Sequence, residues 1–87
     1  MSYTARVNVT LKPGIADPQG QTIERALPAL GYDGVSNVRV GKLIELSVDA
    51  TDESDAKKRV EEMCRRLLAN PVIESFEITV SSNGVAP

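Results

Sequence analysis

Val38, Val40, Ile44, Leu46 and Val48 all occupy even positions, on both sides of Gly41–Lys42. A two-residue hairpin at Gly41–Lys42 pairs residue 40 with 43 and 38 with 45, which sends Ile44, Leu46 and Val48 to the face opposite Val38 and Val40. The parity excludes that turn. Two geometries keep the apolar set on one face: a three-residue loop over Gly41, Lys42 and Leu43, or one long strand over about residues 35–49 that runs through Gly41. A strand of that length exceeds what one small protomer covers. Its two halves then serve different sheets, which is how segments come to be exchanged between two copies of a chain.

The flanking elements are regular. Tyr3, Ala5, Val7, Val9 and Leu11 alternate with Thr4, Arg6, Asn8, Thr10 and Lys12, the pattern of a half-buried strand that Pro13–Gly14 ends. Asp17–Pro18 has the form of a helix start, and Ile23, Ala26, Leu27 and Leu30 follow at helical spacing up to Gly31. Pro28 lacks the donor for the Glu24 carbonyl, so a kink or a weak last turn is expected. A second helix opens at Thr51 or Asp52 and carries Ala56, Val60, Met63, Cys64, Leu67 and Leu68 on one stripe until Asn70–Pro71 stops it. Asp55 with Arg59, Glu61 with Arg65 and Glu62 with Arg66 set acids four residues before bases, the favourable orientation. Val72, Glu74, Phe76, Ile78 and Val80 share a face of a last strand, with Glu74 expected at an exposed edge. These elements make one α+β domain over residues 1–80, a two-layer antiparallel sheet with two helices. Residues 81–87, small and polar, are expected to form a flexible tail.

Composition narrows the function. Folding 87 residues buries only about 63% of the unfolded chain's surface, a marginal core. The one Cys and the absence of His remove intrachain disulfides and Cys/His metal clusters as remedies, and oligomerisation is left. A net charge of −2 lacks the basic excess that nucleic acid requires. The apolar runs are too short for a membrane span and the start does not read as a signal peptide, so a cytoplasmic location is expected. Three aromatics and no Trp offer few stacking surfaces.

Chemistry-bearing patterns are sparse. Cys64 lies in the apolar stripe of the second helix, where it packs as a small hydrophobe. Asp17, Asp33, Asp49, Asp52 and Glu53 lie in or near loops, where capping and solvation account for them. Gly14 to Gly20 opens a helix but matches no phosphate-binding fingerprint. Catalytic, cofactor and metal residues are therefore expected to be absent.

Leu11–Lys12–Pro13–Gly14, Asp17–Pro18–Gln19–Gly20, Gly41–Lys42 and Leu67–Leu68–Ala69–Asn70–Pro71–Val72–Ile73–Glu74, in this order and over about residues 3–80, resemble the PurS family. PurS is the small subunit of phosphoribosylformylglycinamidine (FGAM) synthase where that purine-pathway enzyme is divided among three chains. The resemblance implies ferredoxin-like units formed by a segment-swapped dimer, with dimers able to pair further. It also implies a chain without chemistry of its own, docking a glutaminase (PurQ), which releases ammonia from glutamine, onto a synthetase (PurL), which uses ATP and Mg²⁺. Lys12, Pro13, Asp17, Pro18, Gln19, Gly20, Gly41, Lys42, Asn70 and Pro71 match the family pattern and are the candidates for turn or docking residues. Two other readings are a small-molecule-binding regulatory domain of ferredoxin-like type that dimerises, and an enzyme working through exposed carboxylates.

Overall fold

A computed structural model describes residues 1–83. The alternating N-terminal stretch is a strand, β1 (Ser2–Leu11), and the chain continues through α1 (Pro18–Ala26), β2 (Lys42–Asp49), α2 (Glu53–Met63) and β3 (Glu74–Ser82). Both outer strands run antiparallel to β1, which lies between them in the order β2-β1-β3. Register preserves the parity read from the sequence. Val7 stands between Ile44 and Ile78, and Ala5 between Leu46 and Val80, so odd residues of β1 share a face with even residues of both neighbours.

That face carries the core. Tyr3, Ala5, Val7 and Val9 are buried, and α2 with the turn after it lays Ala56, Val60 and Cys64 across them, all three without exposed surface. Burying a valine fully is worth about 1.5–3 kcal/mol, so Val7, Val9 and Val60 carry much of a small core. Asp52 caps α2 by accepting the Asp55 N–H at 2.7 Å, and the three acid–base pairs form at 3.0, 3.0 and 3.5 Å.

Three expectations are corrected, and the one at Pro28 is met. The second helix does not stay α-helical to Asn70: Cys64–Leu68 is a π turn in which Ala69 N–H donates to the Cys64 carbonyl. A π turn holds one residue more than an α turn and so rotates the residues beyond it. Leu67 leaves the stripe and stands 82% exposed. The weak last turn expected at Pro28 is present: the first helix ends at Ala26 and is followed by a 3-10 turn, Pro28–Leu30, because Pro28 has no N–H to continue the ladder, and Gly31 closes it at φ 95°. The last strand begins at Glu74, leaving Val72 exposed, and continues through Ser82, where Asn83 N–H donates to the Ser2 carbonyl. The rest of the expected tail, 84–87, lies outside the described residues.

The third correction concerns the stretch 35–49, of which only Lys42–Asp49 is paired with another strand. Gly41 continues past Lys42 beside Val9 and Thr10, so the chain does not reverse there and no hairpin loop forms. β1 ends at Leu11, and among the described residues nothing further offers residues 35–40 a ladder. The same geometry leaves α1 off the sheet: its main contacts are with the 3-10 turn that follows it. Ile23, Leu30, Tyr32 and Val35 are 44%, 71%, 60% and 41% exposed. The radius of gyration, 16.8 Å, exceeds the roughly 12 Å of a compact chain this long.

Burial holds the Cys64 thiol above its ordinary pKa, helped by the Glu61 charge and opposed by Arg65. Such a thiol packs and does not react at neutral pH. Cys64→Ala is expected to lower unfolding stability by about 1–2 kcal/mol, read from denaturant midpoints, without changing the activity of a complex assembled with the folded variant.

Candidate partner interface at one end of the sheet

The C-terminal end of β1 gathers the candidate residues. Lys12 extends the strand by donating its N–H to the Ile73 carbonyl at 2.8 Å, and its ammonium donates to the Pro71 carbonyl at 2.8 Å. Pro13–Gly14 then turns the chain, with Ile15 N–H donating to the Lys12 carbonyl. Asn70 organises the facing turn: its side-chain oxygen accepts from Val72 N–H and its carbonyl accepts from Ile73 and Glu74 N–H. The Glu74 carboxylate accepts the Asn70 N–H at 2.7 Å. A carboxylate on the inward face of an edge strand is thereby explained, because it is half-buried and satisfied.

On the other side of β1 lies the start of α1. Pro18 occupies its first turn, where a missing N–H costs nothing. Asp17 is 4% exposed, and its two oxygens accept from Gly20 N–H at 2.9 Å and from Val40 N–H at 2.7 Å. Arg39 Nε lies 4.0 Å from the same carboxylate, and an Arg39 amino group donates to the Lys12 carbonyl. The Gly20 N–H, then the Val40 N–H and the Arg39 charge, hold the Asp17 carboxyl below its ordinary pKa, against the opposing effect of burial.

Two glycines are required by close approach. A Cβ on Gly20 would meet the Val38 carbonyl oxygen and lie 2.8 Å from Asp17 Oδ2; one on Gly41 would lie 2.7 Å from the Val9 carbonyl oxygen. Lys12, Asp17, Gly20, Gly41 and Asn70 thus each make a contact that shapes this end of the fold. Pro13, Pro18, Gln19, Lys42 and Pro71 are exposed around it. Asp17, Pro18, Gln19, Gly41, Lys42 and Glu74 line an open cavity of about 260 Å³. Glu24 and Arg39 also belong here and were missed. Glu24 accepts the Val38 N–H at 3.0 Å. One signal was available for Glu24: its i+4 residue is Pro28, so its carboxylate had no helical partner.

Chemically, this end holds and presents. The carboxylates of Asp17, Glu24 and Glu74 are committed to backbone amides, and among the described residues no three His, Cys, Asp or Glu side chains group as a metal would need. No helix among the described residues is long and apolar enough to cross a membrane.

An α+β chain whose antiparallel sheet carries one packed helix, with a second helix tethered at the sheet's end, is the class that this geometry defines. A profile of PurS, phosphoribosylformylglycinamidine (FGAM) synthase, matches residues 4–82. The chain belongs to the PurS family, that of a subunit of this ligase complex in purine biosynthesis. It is 50% identical to the FGAM synthase subunit PurS of Synechocystis, over 99% of this chain and 88% of that one. The crystal structure of Methanocaldococcus jannaschii PurS, one of the subunits of formylglycinamide ribonucleotide amidotransferase, is 46% identical. It matches at a TM-score of 0.81 over 91% of this chain and 95% of its own. A chain of the PurLQS structure from Thermotoga maritima, 33% identical, matches at 0.84 over 93% and 99%.

Asp17 gives a signed pH dependence. Its folded pKa lies below the ordinary 3.8, so its stabilisation is complete above that value and is lost as pH falls through the lower, folded one. Asp55 shifts in the same direction, through the Thr51 N–H and then Arg59. Asp17→Asn is therefore expected to be less stable at neutral pH and to lose less on acidification below about pH 4, without becoming pH-independent. Urea midpoints from pH 7 to pH 2 measure both slopes, and parallel slopes would contradict this account.

Proposed function

We propose that this chain is the non-catalytic small subunit of an FGAM synthase complex, docking a PurQ glutaminase onto a PurL synthetase so that ammonia passes between their active sites. The match to a chain of the Thermotoga maritima PurLQS structure across 93% of this chain carries the reading, since it gives this chain the shape of a component of that complex. Glutamine, ATP and Mg²⁺ are used by the partner chains. Ammonia released into bulk solution is diluted, and holding two active sites together raises its effective concentration at the second. A subunit serves that purpose by geometry alone, which fits an interface whose carboxylates are all engaged by amides.

The docking form is a dimer, able to pair again into a dimer of dimers. A ferredoxin-like unit needs a fourth strand, and by chain order residues 35–40 are that strand. They run on from β2 instead of lying beside it, so a second copy must supply the missing strand at the outer edge of β2. The apolar stripe of α1 and the turn that follows it, Ile23, Leu27 and Leu30, then needs cover. A groove of about 430 Å³ lined by Val48, Met63, Leu67 and Leu68, with Arg59 and Arg66 at its rim, is of matching character. Filling it with the second copy's α1 gives Leu67 a reason to be apolar. Gln19 and Lys42, with Pro13, Pro18 and Pro71 around them, then face outward as docking residues for the larger chains.

Rates measured with glutamine and with ammonia, with and without this chain, test the docking role. Glutamine-dependent amidation is expected to be lost without it, while the rate at high ammonia is retained; a parallel fall of both, or no change in either, would refute docking. Lys42→Glu is expected to weaken assembly in a salt-dependent way, because an exposed rim charge acts through encounter and screening. For the dimer, sedimentation at micromolar concentration is expected to show no folded monomer.

A further inference from the structure

Residues 38–40 are held by carboxylates and not by a neighbouring strand. Glu24 accepts the Val38 N–H at 3.0 Å and Asp17 accepts the Val40 N–H at 2.7 Å. Donors two residues apart share one edge of an extended segment, and the two acceptors stand about two helical turns apart on α1. Half-buried Val38 and Val40 alternate with exposed Arg39, as extended chain requires. Gly20 completes the fit, because the Val38 carbonyl occupies the space a Cβ would take.

We infer that Asp17, Gly20 and Glu24 form a clamp that decides how two copies of this chain pair. One edge of the 38–40 segment is occupied by α1, so only the edge bearing the Arg39 N–H and C=O is open to a strand of a second copy. The clamp also opposes the competing closed monomer, in which residues 35–40 fold back along the outer edge of β2. Folding back pulls the segment off α1 and breaks two charge-assisted hydrogen bonds, leaving Glu24 without its amide and Asp17 with the Gly20 N–H alone. The inference rests on the self-association proposed above and adds which residues control it; they are positioning residues, remote from any bond-making.

Two substitutions separate the clamp from the helix it stands on. Glu24→Ala removes one acceptor at a position where Ala suits the helix, and Gly20→Ala blocks the segment's seat while also crowding the Asp17 cap, since its Cβ would lie 2.8 Å from Asp17 Oδ2. Glu24→Gln keeps an acceptor and serves as the conservative control. Dimer dissociation constants from sedimentation dilution series, with amide exchange of Val38, Val40 and β1 by NMR, read the outcome. Both Ala variants are expected to raise the dissociation constant at least about tenfold, with Gln within about threefold of wild type. Val38 exchange is expected to rise in Glu24→Ala, and Val38 and Val40 exchange in Gly20→Ala, while β1 amides stay protected, which shows the domain folded. Wild-type dimer affinity in both Ala variants overturns the clamp while leaving the dimer standing. A monomeric wild type overturns the dimer itself, and the clamp with it.

Discussion

The close passage of Gly41 over β1 is the constraint on which the rest depends. β1 is central and nearly all of its length is used on both edges, so a chain that reversed at residue 41 would bring 35–40 back beside β2 and close a four-stranded sheet within one copy. Gly41 does not reverse; it continues along Val9 and Thr10, close enough that a Cβ would strike the Val9 carbonyl. That single geometric fact accounts for the unpaired 35–40 segment, the helix held away from the sheet and the groove left open over Val48 and Leu68. A side chain at 41 would push β2 from β1 at the end where the ladder begins, at the Val9–Lys42 pair.

Much of this was legible because its causes are local. Alternation fixed β1 and the inner faces of β2 and β3, since a slip of one residue would turn every apolar side chain outward. Asp17–Pro18, Asp52 and Gly31 signal helix ends through the bonding of orphan amides and carbonyls, which depends on neighbours a few residues away. Even the failure of a hairpin at Gly41–Lys42 could be read from parity. What escaped depends on contacts between distant parts of the chain. Glu24 takes its role from Val38, fourteen residues on, and Arg39 from Lys12, twenty-seven residues back. Glu74 looked like an intruder on an apolar face because the Asn70 amide that satisfies it appears only when the turn is built. The π turn has no local signature in Cys64–Leu68: all five residues are compatible with α-helix, and the wider turn arises where the helix must deliver Ala69 to the core and Asn70 to its turn.

The candidate residues divided along the same line. A motif matched by sequence mixes positions that shape the backbone with positions that face outward, and spacing cannot separate them. Asp17, Gly20 and Asn70 spend their polar groups or their missing Cβ on the chain itself. Lys42 and Gln19 sit within the same short motifs and remain exposed. A substitution at a backbone-shaping residue acts by redirecting a segment, whereas one at an exposed residue has little effect on the chain's own fold.

A small core also changes what an exposed apolar residue means. In a large domain, Leu30 and Leu67 at 71% and 82% exposure could be incidental. Here the buried set includes four alanines, Ala5, Ala50, Ala56 and Ala69, and its largest wholly buried side chains are no bigger than valine or cysteine. Much of the chain's bulky apolar surface, in Leu30, Leu67, Tyr32, Ile23 and Leu43, lies outside that set. The hydrophobic effect scales with area removed from water, so covering α1 and the outer side of β2, as the dimer proposed above would, draws on a reserve of stabilisation that one copy leaves unused. Folding and association then draw on the same residues, and a change that weakens their cover should be read first as a change in assembly and only afterwards as a change in the fold.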